Sequence, residues 1–220
     1  MLRVGIVDDH LLFRKSMTLL INSFEGMHVE IDAENGKLFL GKLHSQSVDV
    51  VLMDIQMPVM DGYETCKRLL SLFPEIKILI VSQLSTRESI HKIMELGAHG
   101  YFTKNSNPEQ LEHAIRSVHE EGFYFGTELG AVIKEAMLWE KNNKLELVHA
   151  KELLSDRELQ IIKMVCREMK SKEIADELFI NIRTVESHRK HIMDKTNAKN
   201  FIGVVLYALR YDILTVEELR

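Results

Sequence analysis

Between residue 1 and about residue 122, five short runs rich in Val, Ile and Leu alternate with five segments of helical length. The runs cover residues 2–7, 29–33, 48–53, 76–81 and 100–102, and helical segments begin near His10, Lys37, Gly62, Thr86 and Pro108. Parallel strands need a long crossover between them, normally a helix, so this alternation implies a parallel sheet with helices on both faces. Strands buried on both faces read as continuous apolar runs, which makes residues 48–53 a central strand. Pro108 suits a first helical turn, with Asn107 as its cap.

The alternation stops before the chain does. From about residue 151 to residue 220, apolar residues recur only at helical spacing, as in Leu159, Ile162 and Val165, then Ile174 and Leu178, then Val185, Ile192 and Met193. Four short helices fit. A length of 220 residues leaves one large domain and two small ones both open, and the change of period favours two. Residues 123–150, with a helix expected over 127–140 and a polar stretch at 141–144, read as a linker between them. Charge separates the parts as well. Residues 1–122 carry 12 basic and 17 acidic side chains, whereas residues 183–199 carry five basic against two acidic.

Cys66 and Cys166 lie far apart and form no ligand spacing, so neither a disulfide framework nor a zinc site is indicated. Asp8 and Asp9 stand where a signal peptide would need apolar residues, and no apolar run approaches the ~18 residues of a membrane span. A soluble, cytoplasmic protein is expected.

In an open parallel sheet, ligands sit beyond the carboxyl ends of the strands. There this sequence places Asp8 and Asp9 after strand 1, Asp54 after strand 3, Ser82 at strand 4 and Lys104 after strand 5. Taken singly, each is readily a turn, cap or strand-end residue. Together they converge on one rim. Three crowded carboxylates repel unless a cation shares the pocket, and Mg²⁺ suits a set of oxygen donors. Lys104 and the Ser82 hydroxyl would stabilise a transferring phosphoryl group, with Asp54 as the nucleophile that forms an aspartyl phosphate. His10 could serve as a phosphoryl donor or a metal ligand, but no second histidine stands at ligand spacing, and a helix-start role is the preferred reading. Most of the eleven methionines read as core packing.

Residues 1–122 resemble the receiver domain of bacterial two-component response regulators. The resemblance is carried by Ile6-Val7-Asp8-Asp9-His10, by Met53-Asp54-Ile55-Gln56-Met57-Pro58-Val59-Met60-Asp61-Gly62 and by Gly97-Ala98-His99-Gly100-Tyr101-Phe102-Thr103-Lys104. It implies an α/β, flavodoxin-like, doubly wound five-stranded sheet. It also implies Asp54 as the phosphoacceptor, and Mg²⁺ on Asp9, Asp54 and the Gln56 carbonyl, with Asp8 acting mainly through water. Ser82 and Lys104 would contact the phosphoryl group, and Tyr101 would be the aromatic that turns inward on activation. Two positions depart from the pattern: Gln83 replaces a small residue, and Asn105 replaces a proline after the lysine.

In the second half, Ser155-Asp156-Arg157-Glu158 forms a capping box at a helix start. A short helix over 172–178, a turn at 179–182 and a helix over 183–193 then have the layout of a helix-turn-helix, although a small bundle with a charged face fits the same spacing. This half resembles the LuxR-type DNA-binding domain of the NarL and FixJ group, through residues 154–159, 171–175 and 184–190, with Lys195 closing the helix. The resemblance makes Lys172, Thr184, Glu186, Ser187, His188, Arg189, Lys190 and Lys195 the candidates for DNA contact. Glu186, Ser187 and Lys190 would reach base edges, while Arg189 and Lys195 would meet phosphates. Glu168 stands where a glycine is common, and Glu186 where lysine is. A glutamate there can accept from the N4 amino group of cytosine.

The expected function is a response regulator and transcription factor, phosphorylated by a sensor histidine kinase and binding double-stranded DNA, as a homodimer when active. It is not expected to be a turnover enzyme. A Mg²⁺-dependent phosphatase on the same rim, or a phosphorylated adaptor with a degenerate DNA-binding half, are the alternatives.

Overall fold

The computed structural model describes residues 1–83, 92, 95–104, 106–124, 126, 153–167, 169–211 and 213–214. Elements are numbered over these residues. One parallel sheet contains β1 (Leu2–Val7), β2 (Met27–Ala33), β3 (Val50–Met53), β4 (Lys77–Ser82) and β5 (Gly100–Thr103), in the order β2-β1-β3-β4-β5. Between them run α1 (Leu11–Ser23), α2 (Gly36–Lys42) and α3 (Gly62–Leu72), and α4 (Pro108–Glu120) follows β5. All four residues of β3 are buried, the physical reason that this strand reads as an unbroken apolar run. On one face of the sheet Val4, Ile6, Leu52 and Val81 pack with Ile21 of α1 and Ile115 of α4. Asn107 caps α4 as expected: its side chain accepts from Glu109 N–H at 3.1 Å, and Gln110 completes the box.

After β1 the chain winds first to β2 and then back across β1 to β3, so the carboxyl ends of β1 and β3 flank the point where the winding reverses. Loops diverge at such a point and leave a crevice, which puts Asp8, Asp9 and Asp54 at its mouth.

The chain divides into two compact units, Met1–Gly126 and Thr127–Arg220. The first unit runs past residue 122. Phe123 is buried, and Tyr124 pairs with Gly100 while its N–H donates to the His99 carbonyl at 2.8 Å, so these residues belong to the sheet domain rather than to a linker. The expected helix near Thr86, the linker helix over 127–140, the polar stretch at 141–144, Asn105 and Glu168 lie outside the described residues.

The second unit contains α5 (Asp156–Cys166), α6 (Ser171–Glu177), α7 (Ile182–Thr196) and α8 (Phe201–Arg210). Ser155 caps α5: its N–H donates to the Glu158 carboxylate at 2.8 Å, and its hydroxyl accepts from Glu158 N–H at 3.3 Å. Ile162, Ile174, Val185, Ile192 and Val204 are fully buried and form the centre of the bundle. Between α6 and α7, Phe179 takes φ of +53°, and the next amide, Ile180 N–H, donates to the Ala175 carbonyl at 3.0 Å. That left-handed residue produces the tight turn. Among the described residues, no helix is long and apolar enough to cross a membrane.

Candidate functional site

The acidic rim is assembled by backbone geometry at three strand ends. Asp54 N–H donates to the Val7 carbonyl at 2.8 Å, which brings the ends of β3 and β1 together. The Asp54 Oδ1 atom accepts from Ile55 N–H at 2.6 Å, and Asp8 Oδ1 accepts from His10 N–H at 2.8 Å. Each carboxylate thus keeps its second oxygen for Lys104. The Lys104 N–H donates to the Ser82 carbonyl at 3.1 Å, and its Nζ donates to Asp8 Oδ2 and to Asp54 Oδ2, both at 2.6 Å. The ammonium also lies 4.5 Å from the centre of the Phe13 ring. Burial works against the charged lysine, but the hydrogen bonds it donates to Asp54 and Asp8 outweigh it and hold the Lys104 ammonium above its ordinary range.

One ammonium cannot balance this site. Asp8, Asp9 and Asp54 bring three carboxylates, and their oxygens lie within 4.8 Å of one another and of a ring nitrogen of His10. A hard divalent cation with oxygen preference fits that donor set. His10 occupies the N-cap position of α1 but makes no side-chain cap bond. Its Nδ1 lies instead 3.0 Å from Asp9 and 3.4 Å from Asp8, so the helix-start residue is also a member of the cluster. Asp8 and Asp9 precede His10 at the end of β1, and Asp54 joins them from the end of β3.

The loop after β3 folds back on Asp54. Gly62 N–H donates to the Ile55 carbonyl at 2.8 Å, and a Cβ at position 62 would stand 2.3 Å from the Asp54 carbonyl oxygen. Only glycine fits there. In the same loop Val59 has φ of +70°, a strained conformation for a β-branched residue, costing about 1–2 kcal/mol. Gln56 is exposed in this loop. Ser82 is buried at the end of β4, and Tyr101 of β5 is fully buried, so the aromatic implied to turn inward lies inside.

The candidate contacts in the second unit divide by burial. Lys172 on α6 and Thr184, Glu186, Ser187 and Lys190 on α7 are exposed, and His188 is half-buried. Arg189 is not on that face. Its side chain is 8% exposed, its Nη1 donates to Ser171 Oγ at 2.8 Å, and its guanidinium lies over the Phe201 ring at 5.0 Å. The expected phosphate contact is therefore corrected: position 189 falls on the buried stripe with Val185 and Ile192, at helical spacing. Lys195, by contrast, stays exposed on α7 and already holds a partner within the bundle. Its Nζ donates to the buried Glu158 carboxylate at 2.7 Å and ties the end of α7 to the start of α5. Burial raises the Glu158 carboxyl, but Lys195 and the Ser155 groups prevail and hold it below its ordinary range.

A doubly wound sheet with an acidic rim and a facing lysine, followed by a bundle with a tight-turned helix pair, defines a receiver joined to a DNA-binding module. Residues 4–116 match the family model of the response regulator receiver domain, and residues 152–208 match that of the bacterial regulatory proteins of the luxR family. The chain belongs to the response regulators that couple these two domains, a family of DNA-binding transcription regulators. It is 32% identical to the oxygen regulatory protein NreC of Staphylococcus aureus over 215 residues, covering 97% of this chain and 99% of that protein. The crystal structure of the response regulator ChrA of a heme-sensing two-component system is 25% identical, with a TM-score of 0.51 over 97% of this chain and 98% of that one. The RcsB response regulator in its DNA complex, at 20% identity and a TM-score of 0.56 over 95% of this chain and 98% of that one, shares the fold.

Proposed function

We propose that this response regulator accepts a phosphoryl group on Asp54 from a sensor histidine kinase in the cytoplasm and thereby controls its own binding to DNA. The observation that carries this reading is the Lys104 ammonium, held 2.6 Å from both Asp8 and Asp54. The Asp54 Oδ2 atom attacks phosphorus, the P–N bond to the donor imidazole breaks, and an acyl phosphate forms. Lys104 then has a more highly charged partner, because a phosphoryl group adds about -1.5 to -2 in charge. Lys104 follows the phosphoryl oxygens, the Ser82 hydroxyl donates to another, and the buried Tyr101 registers the new packing beside them. Asp8, Asp9, Asp54 and the Gln56 carbonyl would hold Mg²⁺, which supplies charge neutralisation for the transfer. The chain is a stoichiometric acceptor rather than a turnover enzyme.

Exposed Lys172, Thr184, Glu186, Ser187 and Lys190, with half-buried His188, form the surface that meets DNA, with α7 in the major groove. Phosphorylation favours pairing of two copies, whose helix-turn-helix units read half-sites roughly 10 bp apart. Incubation with a phosphodonor and Mg²⁺ tests the acceptor. Wild type should gain acid-labile phosphate and Asp54→Asn none; equal labelling of the two would remove Asp54 from the role.

A further inference from the structure

Ser171 opens α6, and Glu186 and Arg189 stand on successive turns of α7. The three side chains form one network. Ser171 Oγ donates to Glu186 Oε1 and accepts from Arg189 Nη1 at 2.8 Å, and Nη1 lies 3.6 Å from the same Glu186 oxygen. Arg189 is in turn fixed by burial and by the Phe201 ring. The Glu186 side chain is nevertheless 55% exposed, and its Oε2 has no hydrogen-bond partner among the described residues. An acid on a DNA-reading helix would ordinarily weaken binding through phosphate repulsion. Here the neighbouring guanidinium offsets the charge, while the hydroxyl engages one oxygen and leaves the other exposed.

We infer that Ser171 and Arg189 are positioning residues that hold Glu186 as a preset acceptor for a base amino group, making it a specificity determinant of the operator. In the major groove a lone carboxylate acceptor is matched by the N4 amino group of cytosine, whereas guanine offers only acceptors there. Adenine pairs its amino group with an N7 acceptor that a carboxylate repels. Because the glutamate rotamer is restrained on folding, less conformational freedom remains to be lost on binding. The inference rests on the helix-turn-helix reading of α6 and α7.

Selection of random duplex DNA by the full chain, in parallel with Glu186→Gln, Ser171→Ala and Ser171→Thr, tests it. Wild type should enrich a motif with cytosine at one position per half-site. Glu186→Gln should lower the preference for that base roughly five-fold or more. Ser171→Ala should relax the same position while binding to unrelated duplex stays unchanged, and Ser171→Thr, which keeps the hydroxyl, should restore it. Thermal melting of each variant separates a clamp from a reader. Lowered melting with an unchanged motif in Glu186→Gln and Ser171→Ala would overturn the inference, as would adenine at the affected position. A wild-type chain that enriches no motif would overturn the DNA-binding reading, and this inference with it.

Discussion

His99 should make the receiver sensitive to mild acid. Its Nδ1 accepts from Ile78 N–H at 3.1 Å, while its own backbone N–H donates to the Ile78 carbonyl at 2.8 Å, so a neutral ring completes a two-bond bracket on β4. A protonated Nδ1 could not accept. Burial, with a contribution from Lys77, pushes the ring from 6.5 down to about 3. The unfolded chain therefore binds this proton first as pH falls. The stabilisation is fully present above pH ~6.5 and declines by about 1.4 kcal/mol per unit until the folded ring titrates. By pH ~5 the loss is on the order of 2 kcal/mol, a large share of the 5–15 kcal/mol typical of a domain. His99→Asn keeps an acceptor near the same place and does not titrate. Urea midpoints read by hydrogen exchange of β4 amides, at pH 7 and pH 5, should fall further for wild type than for His99→Asn. The variant's own packing cost cancels, because only the difference between the two pH values is compared. Parallel pH dependence in the two proteins would refute the reasoning.

Other outcomes follow from the same contacts. Gly62→Ala should destabilise the receiver by roughly 1–3 kcal/mol, since the added carbon meets the Asp54 carbonyl, and calorimetry would show it. Lys104→Met leaves Asp8 and Asp54 without their ammonium, so millimolar Mg²⁺ should raise its melting temperature more than that of wild type. Arg189→Ala should lower the stability of the second unit. Lys190→Ala should leave it intact and reduce the salt dependence of DNA binding by about one charge, measured by titration at several salt concentrations. Lys195→Met should destabilise α5 against α7 at neutral pH. This cost should shrink as pH falls through the lowered Glu158 carboxyl, because the neutral acid no longer needs its cation.

The βα alternation was legible because burial on both sides of β3 writes itself into the chain as a continuous apolar run. Sharp helix starts were legible too: Ser155 and Asn107 act as caps through hydrogen bonds to amides only two or three residues away. Asp8, Asp9, Asp54 and Lys104 could be grouped because parallel topology sends all strand ends to one rim. What stayed hidden depends on contacts between distant segments. Arg189 and Lys195 are cations on a helix whose surplus charge suggested DNA, and nothing local reveals that one packs against Phe201 and the other pairs with Glu158. His99 carried no signal for the same reason, since its partner is a backbone amide on the neighbouring strand.

The central claim is that charge added at Asp54 controls DNA binding by the second unit. The most direct measurement is binding of the full chain to a pool of genomic DNA fragments, with and without Mg²⁺ and beryllofluoride, following oligomeric state in the same samples. Tighter, sequence-selective binding that appears together with dimers is the expected result. Equal binding and equal oligomeric state in both conditions would contradict it.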